Sequence, residues 1–177
     1  MIITISGKPG AGKTTLAKML AKKFNYKFIS IGDLRGQIAM QKGITIDELN
    51  EIGKKESWVH KEADKKTIEI GKTKDNFVVE GWLAYYFIPN SKKIFFDVNE
   101  NIGAERIFKG QRPDEKECKN LEETKIMLKK RLNETREQFK KYYAQDFLNK
   151  NNYDLIIDTT KLNTRQILNK ILDKLKK

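Results

Sequence analysis

Gly7-Lys8-Pro9-Gly10-Ala11-Gly12-Lys13-Thr14 is the stretch of this 177-residue sequence whose residue types and spacing are best suited to chemistry. It matches G-x-x-x-x-G-K-[ST] at every fixed position. Glycines so placed let successive backbone N–H groups curl around an anion, and a helix starting after them adds partial positive charge at its N-terminus. In such a cradle, Lys13 bridges the β- and γ-phosphates of ATP and the Thr14 hydroxyl is a ligand for Mg²⁺. Gly7, Lys8, Pro9, Gly10, Ala11, Gly12, Lys13 and Thr14 therefore form the candidate ATP site.

A phosphate cradle does not by itself say what receives the phosphate. Gly32-Asp33-Leu34-Arg35 follows the second apolar segment, and an arginine there could hold a second phosphate; the alternative is a helix cap by Asp33. Val78-Val79-Glu80-Gly81 ends a third apolar segment in a carboxylate and a glycine. Glu80 suits an acid that positions Mg²⁺ through water or polarises an acceptor. Asp97, at the end of the next segment, is the lesser candidate for that role and equally a helix cap. Of the six arginines, Arg106, Arg112, Arg131 and Arg136 fall between positions 106 and 136, around the charged stretch Lys109 to Asn120. Phosphoryl transfer needs positive charge over the migrating group and exclusion of water, which an arginine-bearing lid provides on closing. Arg106, Arg112 and Arg131 join Lys13 as catalytic candidates. His60, the only histidine, and Cys118, the only cysteine, have no partners at metal or triad spacing and receive no role.

These groups must be positioned by a regular scaffold. Met1 to Ser6, Lys27 to Ile31, Asn76 to Glu80, Lys93 to Asp97 and Tyr153 to Asp158 read as short buried strands. Between them lie helical patterns: Lys13 to about Phe24; Asp33 to about Gly71, broken near Gly43 and Ser57-Trp58; Glu100 to Phe108; Leu121 to about Leu148; and Thr164 to Leu175. Thr45 with Glu48 three residues on predicts a capping box. Strands alternating with helices predict one α/β domain with a parallel sheet covered on both faces.

Composition narrows the partners. With 36 Lys+Arg against 24 Asp+Glu, the formal charge is +12, which invites a nucleic-acid reading. The lysines, however, are scattered over nearly every segment as on a solvated surface, so nucleic acid is not expected as a partner. A single cysteine excludes an internal disulfide and fits a reducing compartment. No apolar run approaches the roughly 18 residues of a membrane span, and the sequence begins in a strand pattern rather than a basic, apolar leader. A cytoplasmic monomer acting on small molecules is expected.

The same residues, in order, resemble the nucleoside monophosphate kinase group of P-loop proteins, and within it the archaeal-type cytidylate kinases. Gly7 to Thr15 is similar to that family's Gly-x-Pro-Gly-x-Gly-x-Thr-Thr start, which adds Thr15 to the ATP site. Ser30-Ile31-Gly32-Asp33 resembles its Ser-x-Gly-acid segment, Val79-Glu80-Gly81 its Val-Glu-Gly-Arg strand end, and Ala104-Glu105-Arg106-Ile107 its run before the lid. Lys141-Tyr142-Tyr143 with Asp146, and Tyr153 to Thr159, resemble its C-terminal signature. The resemblance implies a three-layer P-loop kinase fold with a five-stranded parallel sheet. The core would be 1–31, 73–108 and 121–177, with a helical monophosphate-binding insert at about 32–72 and a lid at about 109–120. It also implies that ATP and (d)CMP give ADP and (d)CDP with Mg²⁺, and that Gly32, Asp33, Arg35, Glu80 and Gly81 bind the monophosphate. Trp82 stands where the family usually has the arginine of Glu-Gly-Arg, Gly36 falls near its expected insert arginine, and Gln138 replaces an arginine after the lid. These departures bear on the acceptor and leave open AMP, UMP or a small alcohol; an ATP-dependent RNA or assembly factor of kinase architecture is the alternative of another class.

Overall fold

A computed structural model describes residues 1–73, 75–110 and 118–175. Arg112 and most of the expected lid therefore lie outside the described residues. The strands are β1 (Ile2–Gly7), β2 (Lys27–Ser30), β3 (Phe77–Glu80), β4 (Lys92–Asp97) and β5 (Leu155–Asp158). They form one parallel sheet in the order β2-β3-β1-β4-β5. The helices are α1 (Lys13–Phe24), α2 (Ile31–Gln41), α3 (Ile46–Lys55), α4 (Trp58–Thr73), α5 (Ala84–Phe87), α6 (Glu100–Lys109), α7 (Leu121–Tyr143) and α8 (Thr164–Leu175). This is the expected P-loop kinase fold, a parallel sheet between layers of helices.

Every residue of β1 is buried, as a central parallel strand requires. Ile3, Ile5, Val78, Ile94 and Phe96 pack with Leu16, Leu20, Ile167 and Ile171 of α1 and α8 in the main core. Ile2, Phe77, Val79, Ala84 and Ile88 form a second core cluster with Ile70 of α4. The register matters most for function. Ile5 pairs with Glu80, and Ser30 pairs with the same Glu80, so β3 and β2 end at one level and β1 runs two residues further, to Gly7. The loops that follow them share one edge of the sheet, where ligands of open α/β sheets bind.

Residues 31–73, between β2 and β3, form α2, α3 and α4 around a small core of their own: Ile38, Leu49, Val59 and Ala63. The Thr45–Glu48 capping box is present, with the Thr45 amide and hydroxyl donating to Glu48 and the Glu48 amide to Thr45.

Three boundaries differ from the sequence reading. Ser30, not Asp33, caps α2, its hydroxyl accepting from the Asp33 amide. Asn99 caps α6, which leaves the Asp97 carboxylate to other partners. The helix expected to reach Leu148 stops at Tyr143, where Ala144 turns left-handed with φ 53°. Asp146 then receives Arg136 Nε at 2.9 Å and the Leu148 amide at 3.1 Å, so the chain folds back under its own helix. The short α5 was not expected at all. Among the described residues, no helix is long and apolar enough to cross a membrane.

Phe96 is fully buried in the main core where β4 meets β1. Phe96→Ala is expected to destabilise the protein by about 3–5 kcal/mol, read as a lowered urea midpoint with unchanged slope; a loss under about 1 kcal/mol would contradict this packing.

Candidate active site

The cradle's shape follows from how close its backbone runs to β4 and α6. Gly7 has φ 148°, and a Cβ there would lie 2.2 Å from the Phe96 carbonyl oxygen. Gly10 has φ 74°, and a Cβ there would lie 2.2 Å from the carbonyl oxygen of Gly103 in α6. Only glycine fits either place. The Lys8 amide donates to the Phe96 carbonyl at 3.0 Å, which fixes the first turn of the loop against β4. No acidic side chain occupies the first turn of α1, so its N-terminus keeps its positive character for an anion.

Lys13 Nζ donates to the Lys8 carbonyl at 2.8 Å, which holds the ammonium over the loop. The Thr14 hydroxyl donates to Glu80 Oε2 at 3.2 Å. The strand register brings these two together, since Glu80 pairs with Ile5, two residues before the cradle begins. A hydroxyl and a carboxylate at hydrogen-bond distance form an all-oxygen donor set of the kind a hard cation such as Mg²⁺ takes. Thr14 and Glu80 therefore fit the ion they are expected to hold.

Asp97 has a different task. Lys8 Nζ lies 2.9 Å from one of its oxygens and Lys150 Nζ 2.8 Å from the other. Burial alone would raise its pKa, but hydrogen bonds from Lys150 and Lys8 outweigh this and hold it below the ordinary carboxylate range. Asp97 anchors the Lys8 side chain and ties the loop before β5 to the cradle.

Arg106, half-buried on α6, donates to the carbonyls of Thr159 at 2.8 Å, Thr160 at 3.1 Å and Gly10 at 3.4 Å. Its cation thus sits against the tip of the cradle and joins it to the loop after β5. Gly32 and Asp33 occupy the first turn of α2 at the end of β2, on the same sheet edge as Glu80. Arg35 lies one turn further in: it donates to Asn50 Oδ1 at 2.9 Å and lies 3.2 Å from His60 Nδ1. The guanidinium of Arg131 on α7 lies 5.6 Å from the centre of the Trp82 ring. The structure therefore gathers Lys13, Thr14, Glu80 and Arg106 around the cradle, and places Arg35 in the helical segment facing α7.

Sequence reasoning missed the polar cluster around Arg35. Asp64 on α4 accepts a short hydrogen bond from the Tyr143 hydroxyl of α7. Burial pushes the Asp64 carboxyl up to about 6, against the opposing effects of the Tyr143 hydrogen bond and the Arg35 charge. Burial lowers the Arg35 pKa, with Asp64 and Tyr143 opposing and Arg131 reinforcing that shift. His60 is buried with Nε2 3.0 Å from the Gly53 carbonyl, its ring against Tyr142 and Phe139. No spacing signal marks these residues, since Asp64 is one of many charges on an ordinary amphipathic helix. Ser6 was also missed: it is fully buried and donates to the carbonyls of Gly81 at 2.8 Å and Trp82 at 3.0 Å, which locks the end of β3 to β1.

Because the folded chain holds the Asp64 proton more tightly than the unfolded chain, Asp64 lowers stability as pH rises from about 4 to 6. Asp64→Asn, which keeps an acceptor for Tyr143, is expected to gain stability relative to the parent across that interval and to hold a constant gain above it. Urea unfolding at several pH values measures this; a difference independent of pH would contradict the burial of Asp64.

Comparison with known proteins agrees with this geometry. The sequence model of the cytidylate kinase-like family matches residues 2–161. A cytidylate kinase from Methanosphaera stadtmanae is 33% identical over 169 residues, covering 96% of this chain and 94% of that protein. An S-adenosylmethionine-dependent nucleotide dehydratase from Lacinutrix mariniflava is also 33% identical, over 172 residues. That match takes in 97% of this chain, which spans only 35% of the dehydratase. Among solved structures, shikimate kinase from Bacteroides thetaiotaomicron superposes with a TM-score of 0.69 at 20% identity, covering 100% of this chain and 99% of that one. It shares the fold.

Proposed function

As the chain belongs to the cytidylate kinase-like family, we propose that it transfers the γ-phosphoryl group of ATP to CMP or dCMP, giving ADP and CDP or dCDP. The observation that carries this reading is the one edge of the sheet at which the carboxyl ends of β1, β3 and β2 lie. It brings the cradle of Gly7 to Thr15, the Thr14–Glu80 pair and the start of α2 to the same side of the sheet.

At this edge the triphosphate lies over the backbone amides of the cradle, with Lys13 on its β- and γ-phosphates. Mg²⁺, bound by Thr14 and by Glu80 through water, would neutralise charge on those phosphates. Gly32, Asp33, Arg35, Glu80 and Gly81 face the acceptor monophosphate, which enters along residues 32–72. Its phosphate oxygen attacks the γ-phosphorus in line, the bond to the β-phosphate oxygen breaks, and the charge spreads over the equatorial oxygens. Lys13, Arg106, Arg112 and Arg131 meet that charge, and a lid at 109–120 excludes the water that would otherwise hydrolyse ATP. We assign the protein to the cytoplasm, as a monomer working on free nucleotides.

Trp82, in place of an arginine at the acceptor side, favours a second reading in which the acceptor is AMP, UMP or a small alcohol. A coupled ADP assay over a panel of monophosphates and small alcohols separates the two. Turnover is expected to be highest with CMP or dCMP, and no turnover with any monophosphate would defeat the nucleoside monophosphate kinase assignment. Lys13→Ala is expected to lower the rate by roughly 10²-fold or more with an unchanged far-ultraviolet circular dichroism spectrum. A variant within threefold of the parent would contradict the role given to Lys13.

A further inference from the structure

The lysines of this chain are spread over nearly every segment, but the acids are not. Residues 1–32 hold six lysines and no Asp or Glu. Residues 159–175 hold three lysines, one arginine and a single acid, Asp173. Residues 33–158 hold 24 Lys+Arg against 23 Asp+Glu and are almost neutral. The charge of +12 therefore comes almost wholly from the two ends of the sequence.

The fold brings those ends together. α1 buries Leu16, Ala17, Leu20 and Ala21, and α8 buries Ile167 and Ile171, all in the main core. The two helices touch, so they lie side by side over one face of the sheet. Lys18, Lys22 and Lys23 of α1 and Arg165, Lys170 and Lys174 of α8 lie off these buried stripes, and all six are exposed. Lys18 and Lys22, like Lys170 and Lys174, stand four residues apart, about 6 Å along one side of a helix. Among the described residues, none of the six forms a salt bridge. Lys54 of α3 and Lys125 and Lys130 of α7, by contrast, each meet a glutamate. Helix formation accounts for only part of the set. Lys22, Lys23 and Lys174 in the last turns answer the helix macrodipoles, but Arg165 stands in the first turn of α8, where a cation opposes one.

We propose that α1 and α8 form a docking face for the phosphate backbone of a nucleic acid. Scattered lysines alone do not point to such a partner; lysines left without acids on one face do. Lysine meets phosphate as a point charge, without the paired geometry of arginine, which suits binding that ignores base sequence. A lipid surface would be gripped by apolar residues beside the cations. The large apolar side chains exposed among the described residues, Met1, Met40, Tyr86, Ile126 and Ile156, all lie outside α1 and α8.

Fluorescence anisotropy on the full chain tests this, with a labelled single-stranded RNA of mixed sequence and about 20 nucleotides. Saturating MgATP keeps the cradle filled. A Kd of about 10 μM or tighter is expected at about 50 mM KCl, with a log–log salt slope of affinity near −4 for about six phosphates. Lys22→Glu with Lys170→Glu is expected to weaken binding by about tenfold or more. Lys65→Glu with Lys129→Glu changes the net charge equally at exposed positions of α4 and α7, and is expected to weaken it by less than about threefold. Equal losses in the two pairs would mean that total charge and not this face binds, and would overturn the proposal. So would no binding at low salt, or release of the RNA when MgATP is added. Polyglutamate or anionic phospholipid vesicles that displace the RNA as well as unlabelled RNA does would also overturn it. An unchanged circular dichroism spectrum checks that each pair folds. Should either fail, Lys22→Gln with Lys170→Gln and Lys65→Gln with Lys129→Gln carry the same comparison.

Discussion

The close approach of the cradle backbone to β4 and α6 is the constraint on which the rest of the site depends. With Gly7 against Phe96 and Gly10 against Gly103, the loop is pressed into the gap between a strand end and the first turns of a helix. That contact exists only because β4 lies beside β1, with Gly7 in register with Phe96. Once the loop is seated, Lys13 reaches back across it to the Lys8 carbonyl, Lys8 reaches Asp97, and Arg106 of α6 reaches Gly10. The cradle is thus held by groups that originate in β4 and α6, with Arg106 itself fixed by the loop after β5. On the remaining side the chain ends of β3 and β2 supply Glu80 and α2.

Electrostatics divides this edge into two regions. Around the cradle the charges are paired through backbone carbonyls and Asp97, which fixes their positions while leaving cationic groups beside a polyphosphate site. Toward the helical segment, Arg35, His60, Asp64 and Tyr143 form a half-buried network joining α2, α4 and α7. Desolvation dominates there: it raises Asp64 and lowers both His60 and Arg35. Aromatic rings pack beside this network in a core cluster of their own, with Trp82 on Phe147 and Tyr143 against Phe87 and Phe139.

Much of this was legible in the residues alone. The strand-to-helix context of Gly7 to Thr14 located the cradle, because its backbone demands are written into residue type. The strand segments were legible from short apolar runs rich in β-branched and aromatic residues, and the five strands lie where those runs lie. The end of the long helix was not legible, because Arg131 to Leu148 carries no glycine or proline and stops at an ordinary alanine. What ends it is the tertiary pairing of Arg136 with Asp146. The Asp64–Tyr143 contact was equally hidden, since it joins residues 79 positions apart and nothing in the spacing of either helix marks the pair. The overall charge of +12 was least informative: the cations that matter at the cradle are identified by what fixes them, as the carbonyls of Thr159, Thr160 and Gly10 fix Arg106.

The central claim is that one chain holds two nucleotides end to end, the triphosphate in the cradle and the monophosphate along residues 32–72. A dinucleoside pentaphosphate joining adenosine to cytidine spans both places at once, and calorimetric titration measures its binding directly. One molecule per chain is expected to bind at least about a hundredfold more tightly than ATP or CMP alone, as linkage of two sites allows. Affinity no better than that of ATP, or unchanged when cytidine is replaced by a simple phosphate ester, would contradict the claim.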